Sequence, residues 1–208
     1  MLAIKPMSFE QKYDNVLRSR KVLEAVVLPL VERELGSDGA AELKRLWGEE
    51  SRPLPTGATT EERYEVAYAN WLRNWQTAFS FVAQRAGDAG REKLERAGVE
   101  ELKRANAGPS LYLLRAMRVL APGIAFRTFA RQMAYTLQFF TPLEVTELTA
   151  RRTEMAIPHC KVLDAPDCED FCLVGCQRIY PSWMREQFNV NFAPTRQDHG
   201  CTITLTPA

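Results

Sequence analysis

Leu143-Glu144-Val145-Thr146-Glu147-Leu148-Thr149 alternates apolar and polar residues. A period of two is the signature of a strand with one buried face, and it does not match the three- and four-residue steps of a buried helix face. Ala150-Arg151-Arg152 allows a turn, and Thr153–Ile157 returns as a second strand. Near the end of the chain, Val190–Thr195 and Cys201–Thr206 read the same way, joined by Arg196-Gln197-Asp198-His199-Gly200. Between the two pairs, a cysteine-bearing helix is expected from about Cys168 to Tyr180, with Pro181 opening a further helical segment.

Upstream of Thr141-Pro142 the pattern is helical. Phe9, Tyr13, Val16, Leu17, Leu23, Val27, Leu30 and Val31 share one helix face. Gly36 and Ser37-Asp38-Gly39 stop that helix, and a short second one follows to Trp47. Ser51–Gly57 carries two prolines and a glycine and reads as a loop. Thr59 and Glu62 form a capping box that opens a helix bearing Tyr64, Tyr68, Trp71, Leu72, Trp75, Phe79 and Val82. A charged helix is expected around Arg91–Ala105, then apolar ones around Ser110–Leu120 and Ile124–Phe140, divided by Pro122-Gly123. The expected class is α+β within a single domain. A mostly helical N-terminal body, 1–140, packs on a small C-terminal antiparallel sheet, and 141–208 holds the cysteines.

Composition narrows the function classes. The 208 residues are 46% hydrophobic and 25% charged, which suits a globular chain rather than a disordered or collagen-like one. With 27 basic against 26 acidic residues the net charge is +1, so nothing global favours nucleic acid or a membrane as partner. Arg18-Ser19-Arg20-Lys21 and Arg151-Arg152 read as solvated surface. No apolar run approaches the roughly 20 residues that span a bilayer. Lys5, Glu10, Lys12 and Asp14 interrupt any secretory apolar segment, so a cytoplasmic location is expected. No glycine-rich phosphate loop is present, and no nucleotide cofactor is expected.

All five cysteines, Cys160, Cys168, Cys172, Cys176 and Cys201, lie in the last quarter of the chain. An odd count in a cytoplasmic setting argues against a disulfide framework. Cys168, Cys172 and Cys176 fall at i, i+4 and i+8, a stripe about 80° wide on an α-helix. Neighbours in the stripe are about 6 Å apart along the axis and the outer pair about 12 Å. One zinc ion, with Zn–S bonds of about 2.3 Å, takes two neighbours, with Cys160 or Cys201 from flanking segments and His159 or His199 in reserve. An iron–sulfur cluster also uses thiolates. A second reading makes Cys168 a nucleophile in the first turn of a helix capped by Asp167, with His159 or His199 as base. The third is plain: small buried hydrophobes. The stripe Tyr64, Tyr68, Trp71 and Trp75 reads first as core, and second as an aromatic wall for a planar ligand, with Trp75 a candidate contact.

The C-terminal third resembles a known layout. A strand ending in Ile157-Pro158-His159-Cys160, a helix with cysteines, and a hairpin closing on Gly200-Cys201-Thr202-Ile203-Thr204-Leu205 is similar to the L-2-amino-thiazoline-4-carboxylic acid hydrolase-like family. The same stretch, about 140–206, also resembles the four-vinyl-reductase small-ligand-binding domain. The first resemblance implies a hydrolase opening a C–N bond of a thiazoline-like or amide-like small molecule. Cys168 or Cys172 would then be nucleophile or metal ligand, His159 the acid/base, and Arg178 or Arg196 the anchor of a substrate carboxylate. The second implies a small-ligand-binding or sensing module with a cysteine-held zinc or iron–sulfur centre. Cys201 carries over best, as the cysteine of the last strand. Where the layout has an acidic residue and a cysteine before the final turn, this chain has Ala193-Pro194-Thr195-Arg196.

Overall fold

A computed structural model describes residues 4–164 and 171–208. It is an α+β structure in which helices dominate the N-terminal two thirds. Helix α1, Phe9–Glu50, opens on a capping box. The Ser8 side chain accepts from the Gln11 N–H, and the Gln11 side chain accepts in return from the Ser8 N–H. At Gly36 the backbone leaves the helix with φ 78° and ψ 178°, a conformation that glycine alone adopts without strain. The remainder of α1 returns along its first half. Lys44, Trp47 and Gly48 share a cleft with Tyr13, Arg20 and Glu24. The expected stop at Gly36 is therefore a chain reversal with no intervening loop.

Ser51–Thr59 is irregular, and α2, Thr60–Ala105, starts from the expected Thr59/Glu62 capping box. It breaks at Gly87, with φ 59° and ψ −157°, so the charged segment beyond is the second arm of one reversed helix. Lys93 pairs with Glu34 at 2.5 Å and Arg85 with Glu42 at 2.9 Å, which ties the arms of α1 and α2 into one bundle. Its core is Leu23, Val27, Val31, Leu43, Tyr64, Phe79 and Leu94, each at most 2% exposed.

Helices α3, Pro109–Leu120, and α4, Pro122–Leu137, follow. The expectation that Pro122-Gly123 divides them is corrected. Pro122 is the first residue of α4, where its missing N–H costs nothing, and Ala121 alone is the joint. Among the described residues there are four strands, β1 Glu144–Leu148, β2 Thr153–Ile157, β3 Val190–Arg196 and β4 Cys201–Pro207. They form an antiparallel sheet in the order β1-β2-β4-β3. Met155 stands between Val145 and Ile203, and Leu205 between Thr153 and Phe192. These residues make the buried face, as their alternation requires.

The cysteine-bearing segment differs from its expectation. A 3₁₀ turn spans Lys161–Asp164. From Phe171 to Ile179 the helix is π-type, becomes α-type over Tyr180–Trp183 and is π-type again over Met184–Phe188. Bonding from i to i+5 widens each turn, so the 100° wheel used to align the cysteines does not apply. Cys168, and Asp167 as its cap, lie outside the described residues. The helix ends at Asn189, in the left-handed region at φ 52°. Its side chain donates to the Ala208 carbonyl at 3.0 Å, and its own carbonyl accepts from the Ala208 N–H at 2.9 Å.

Candidate functional site

The aromatic stripe of α2 meets the cysteine helix and the end of α4. Trp71 has its ring centroid 5.3 Å from Phe140, 5.5 Å from Phe171, 5.7 Å from Tyr68 and 6.0 Å from Phe139. Trp75 stacks on Phe79 at 5.0 Å and also meets Phe171. Trp71, Trp75, Phe79, Phe171, Gly175 and Tyr180 line an apolar pocket of about 70 Å³. The stripe is thus core, as first read, and two of its tryptophans also wall a void.

The thiols gather beside this aromatic junction. Cys160 follows β2, Cys201 opens β4, and Cys172 and Cys176 lie on the cysteine helix. All four are free and partly buried. Two features bring the flanking segments together. The Cys160 N–H donates to the His199 carbonyl at 2.8 Å, tying the loop after β2 to the β3–β4 turn. Gly200 leaves room for β2, because a Cβ there would collide with the Ile157 carbonyl oxygen. Ile157 and Cys201 are register partners across β2 and β4, and Arg196 faces Cys201 across β3 and β4.

Electrostatics show that the thiols share one environment. Burial pushes the Cys160 thiol up; backbone N–H groups of Val162 and Leu163 at its sulfur oppose this, and the neighbouring Cys172 and Asp164 add to it. Burial, then neighbouring Cys172, Cys160 and Cys201, pushes Cys176 well above the ordinary thiol range. Burial, Cys160 and Cys172 push Cys201 up to about 12. At neutral pH these three groups are neutral thiols. A group whose folded pKa is raised keeps its proton after the unfolded chain has lost it. The stabilisation is therefore complete below about pH 9 and is lost as pH climbs toward about 12. Burial raises Tyr64, Tyr68 and Tyr180 in the same sense, reinforcing the loss at the alkaline end. Thermal melting across this range should show a falling midpoint, shallower in Cys201→Ala; a flat profile would contradict the burial of these thiols.

Two buried donors at the junction lack partners among the described residues. The Tyr68 hydroxyl and the Trp71 Nε1–H are on side chains only 4% and 2% exposed, and neither makes a hydrogen bond to any described residue. The Tyr68 hydroxyl lies in the field of Cys160 and Cys176. By contrast, Tyr64 donates to the Phe139 carbonyl at 2.8 Å and Trp47 to the Asn74 carbonyl at 2.9 Å. An unpartnered buried donor costs about 1–3 kcal/mol, so folded proteins normally satisfy such groups.

The other candidate residues are placed as follows. His159 is exposed, with Nε2 2.9 Å from the Asp164 carboxylate. His199 is exposed in the β3–β4 turn. Among the described residues, neither histidine hydrogen-bonds a cysteine sulfur. Arg178 is ion-paired to Glu95 of α2 at 2.7 Å and faces solvent, which occupies it as an anchor. Arg196 is exposed at the end of β3. Trp75 is in the cavity wall. For metal binding, four soft sulfur donors in one region suit zinc or iron. Yet among the described residues no three His, Cys, Asp or Glu side chains are arranged to hold one ion. With Cys168 outside that set, no chemistry is routed here through a metal. Sequence reading placed Tyr68 and Trp71 on the right face but missed their unpaired donors, because only the fold brings Phe140, Phe171 and the thiols against them.

A larger cleft lies elsewhere. It measures about 790 Å³, opens between α3, α4 and the sheet end, and is lined by Leu114, Arg118, Phe126, Phe129, Arg151 and Phe188. No family model, curated protein or solved structure matches the chain.

Proposed function

We propose that the chain is a small-ligand-binding module whose ligand sits where the aromatic stripe of α2 meets the thiols. The observation that carries this reading is the pair of unpartnered buried donors, Tyr68 Oη–H and Trp71 Nε1–H. A ligand bearing a carbonyl or ring-nitrogen acceptor would satisfy either donor. The aromatic walls favour a flat, uncharged body, and the thiols favour a soft or polarisable group beside it. A cyclic amide or thiazoline-like heterocycle has these properties, in keeping with the resemblance of residues 140–206. The reading places the chain in the reducing cytoplasm, where cysteines such as these stay unpaired. A zinc or iron–sulfur centre would require Cys168 to complete a ligand set.

The second reading is hydrolysis of a C–N bond in such a ligand. It is favoured by the His159–Asp164 pair next to Cys160, since a carboxylate that orients an imidazole prepares it as a base. It is opposed by the raised thiols, which supply little thiolate near pH 7.

The test uses 2-pyrrolidone, a small uncharged cyclic amide, titrated calorimetrically into wild type and Tyr68→Phe. Removing an unpartnered hydroxyl should stabilise the free protein by about 1 kcal/mol and weaken the probe about tenfold. Equal affinity in both proteins, or no binding to either, would reduce the junction to plain core.

A further inference from the structure

The net charge of +1 averages two unlike regions. No acidic residue lies between Glu101 and Glu144, while Lys103, Arg104, Arg115, Arg118, Arg127 and Arg131 do. This stretch carries +6 and the rest of the chain −5. Lys103 and Arg104 are paired with glutamates, and the Arg118 guanidinium donates to the Phe188 carbonyl at 2.8 Å. Arg115, Arg127 and Arg131 have no carboxylate partner among the described residues. Elsewhere Arg20, Arg33, Arg45, Arg85, Arg152 and Arg178 each have one.

On this basic ground α3 is turned inside out. Of its twelve residues only Leu111 is buried. Tyr112 is 69% exposed, Leu113 64%, Val119 84% and Leu120 85%. At about 100° per residue, Val119, Tyr112, Ala116, Leu120 and Leu113 span a continuous arc of about 120°, bordered by Arg115. The outward arc of a surface helix is ordinarily polar. Here it is apolar throughout, and Ile124, in the first turn of α4, adds a further side chain at 52% exposure. Along the same helix Arg127, Thr128 and Arg131 are exposed.

We infer that α3 and the start of α4 form a docking face for an anionic phospholipid bilayer. The apolar arc would sink into the boundary between headgroups and acyl chains, with Arg115, Arg127 and Arg131 meeting lipid phosphates. Charge decides the occupant. A second copy would bring the same acid-free surface against this one, opposing arginine with arginine, whereas an anionic leaflet complements both features. The helix lies on the surface rather than crossing it, since among the described residues no helix is long and apolar enough to span a membrane. The expectation of no membrane partner draws on overall charge and on the lack of a spanning apolar run, and neither bears on a local face of this kind.

The experiment is flotation of the full chain with vesicles of phosphatidylcholine alone, or of equimolar phosphatidylcholine and phosphatidylglycerol, with light scattering to report oligomeric state. Binding is expected only to the anionic vesicles, weakening with salt. Arg127→Gln with Arg131→Gln should weaken it about twenty-five-fold, at about fivefold per arginine. Val119→Ser with Leu120→Ser should abolish it; both pairs are exposed, and unchanged thermal melting confirms the fold. No flotation with anionic vesicles would overturn the inference. Equal flotation with both vesicle types would do so too, as would a dimer that the serine variant dissolves without any vesicle binding.

Discussion

Gly200→Ala should lower the unfolding free energy by about 3 kcal/mol, the largest loss expected from adding a single methyl group to this chain. The methyl would meet backbone atoms only. It would collide with the Ile157 carbonyl oxygen, and it would lie 2.9 Å from the carbonyl carbon and oxygen of Pro158. Backbone in a paired strand cannot swing aside as a side-chain tip does. Ile157 is fixed by its register with Cys201, and the next residues are fixed by the bond from the Cys160 N–H to the His199 carbonyl. Relief therefore requires β2 and the β3–β4 turn to part, which also separates Cys160 from Cys201. Gly57→Ala is the control. Gly57 has φ +74° but no atom near its missing Cβ, so only left-handed strain of about 1 kcal/mol is expected. Urea unfolding of both variants decides the matter, and equal costs would contradict the close approach at Gly200.

Trp71→Ala should cost about 3–5 kcal/mol and remove ligand binding altogether. The indole is 2% exposed and touches rings from three separate parts of the chain: Tyr68 on α2, Phe139 and Phe140 after α4, and Phe171 on the cysteine helix. Truncation would leave a hole continuous with the cavity already beside it, so collapse is hindered and the cost falls toward the upper end. Trp71→Phe separates packing from chemistry. It keeps an aromatic ring at the junction but deletes Nε1–H, so most of the stability should return while binding stays weak. With total stabilities of about 5–15 kcal/mol, the alanine variant remains measurable at low temperature. A cost below about 1.5 kcal/mol would show that these rings do not form a common core.

The strands were legible because their information is local. In Thr153–Ile157, Val190–Thr195 and Cys201–Thr206 every second side chain faces one side, and the chain itself displays that period; in Leu143–Thr149 the register shifts once, between Val145 and Glu147. The Thr59/Glu62 capping box was legible for the same reason, being a contact three residues long. Gly36 was legible as a stop, though nothing local says that the chain beyond it folds straight back. The cysteine helix was misread in geometry. A shift of bonding from i+4 to i+5 leaves apolar spacing nearly unchanged, so Phe171, Val174 and Ile179 are buried under either pattern. Helix α3 shows the opposite failure. Its Leu, Tyr and Val residues have the spacing of a core helix, and only the fold reveals that most of them face outward. The convergence of Tyr68 and Trp71 with Cys160, Cys176 and Phe171 joins positions about 100 residues apart in the chain, a relation that no window of sequence contains.

The most direct measurement is the indole N–H NMR spectrum of the free protein and its response to 2-pyrrolidone. Trp47 and Trp183 donate to the Asn74 carbonyl and the Gln187 side chain, whereas Trp71 donates to nothing among the described residues. The account predicts that the Trp71 indole proton, identified by its loss in Trp71→Phe, resonates as a non-hydrogen-bonded group. It should then move downfield, and saturably, as the probe binds. A Trp71 proton already hydrogen-bonded in the free protein and unmoved by the probe would contradict the ligand site.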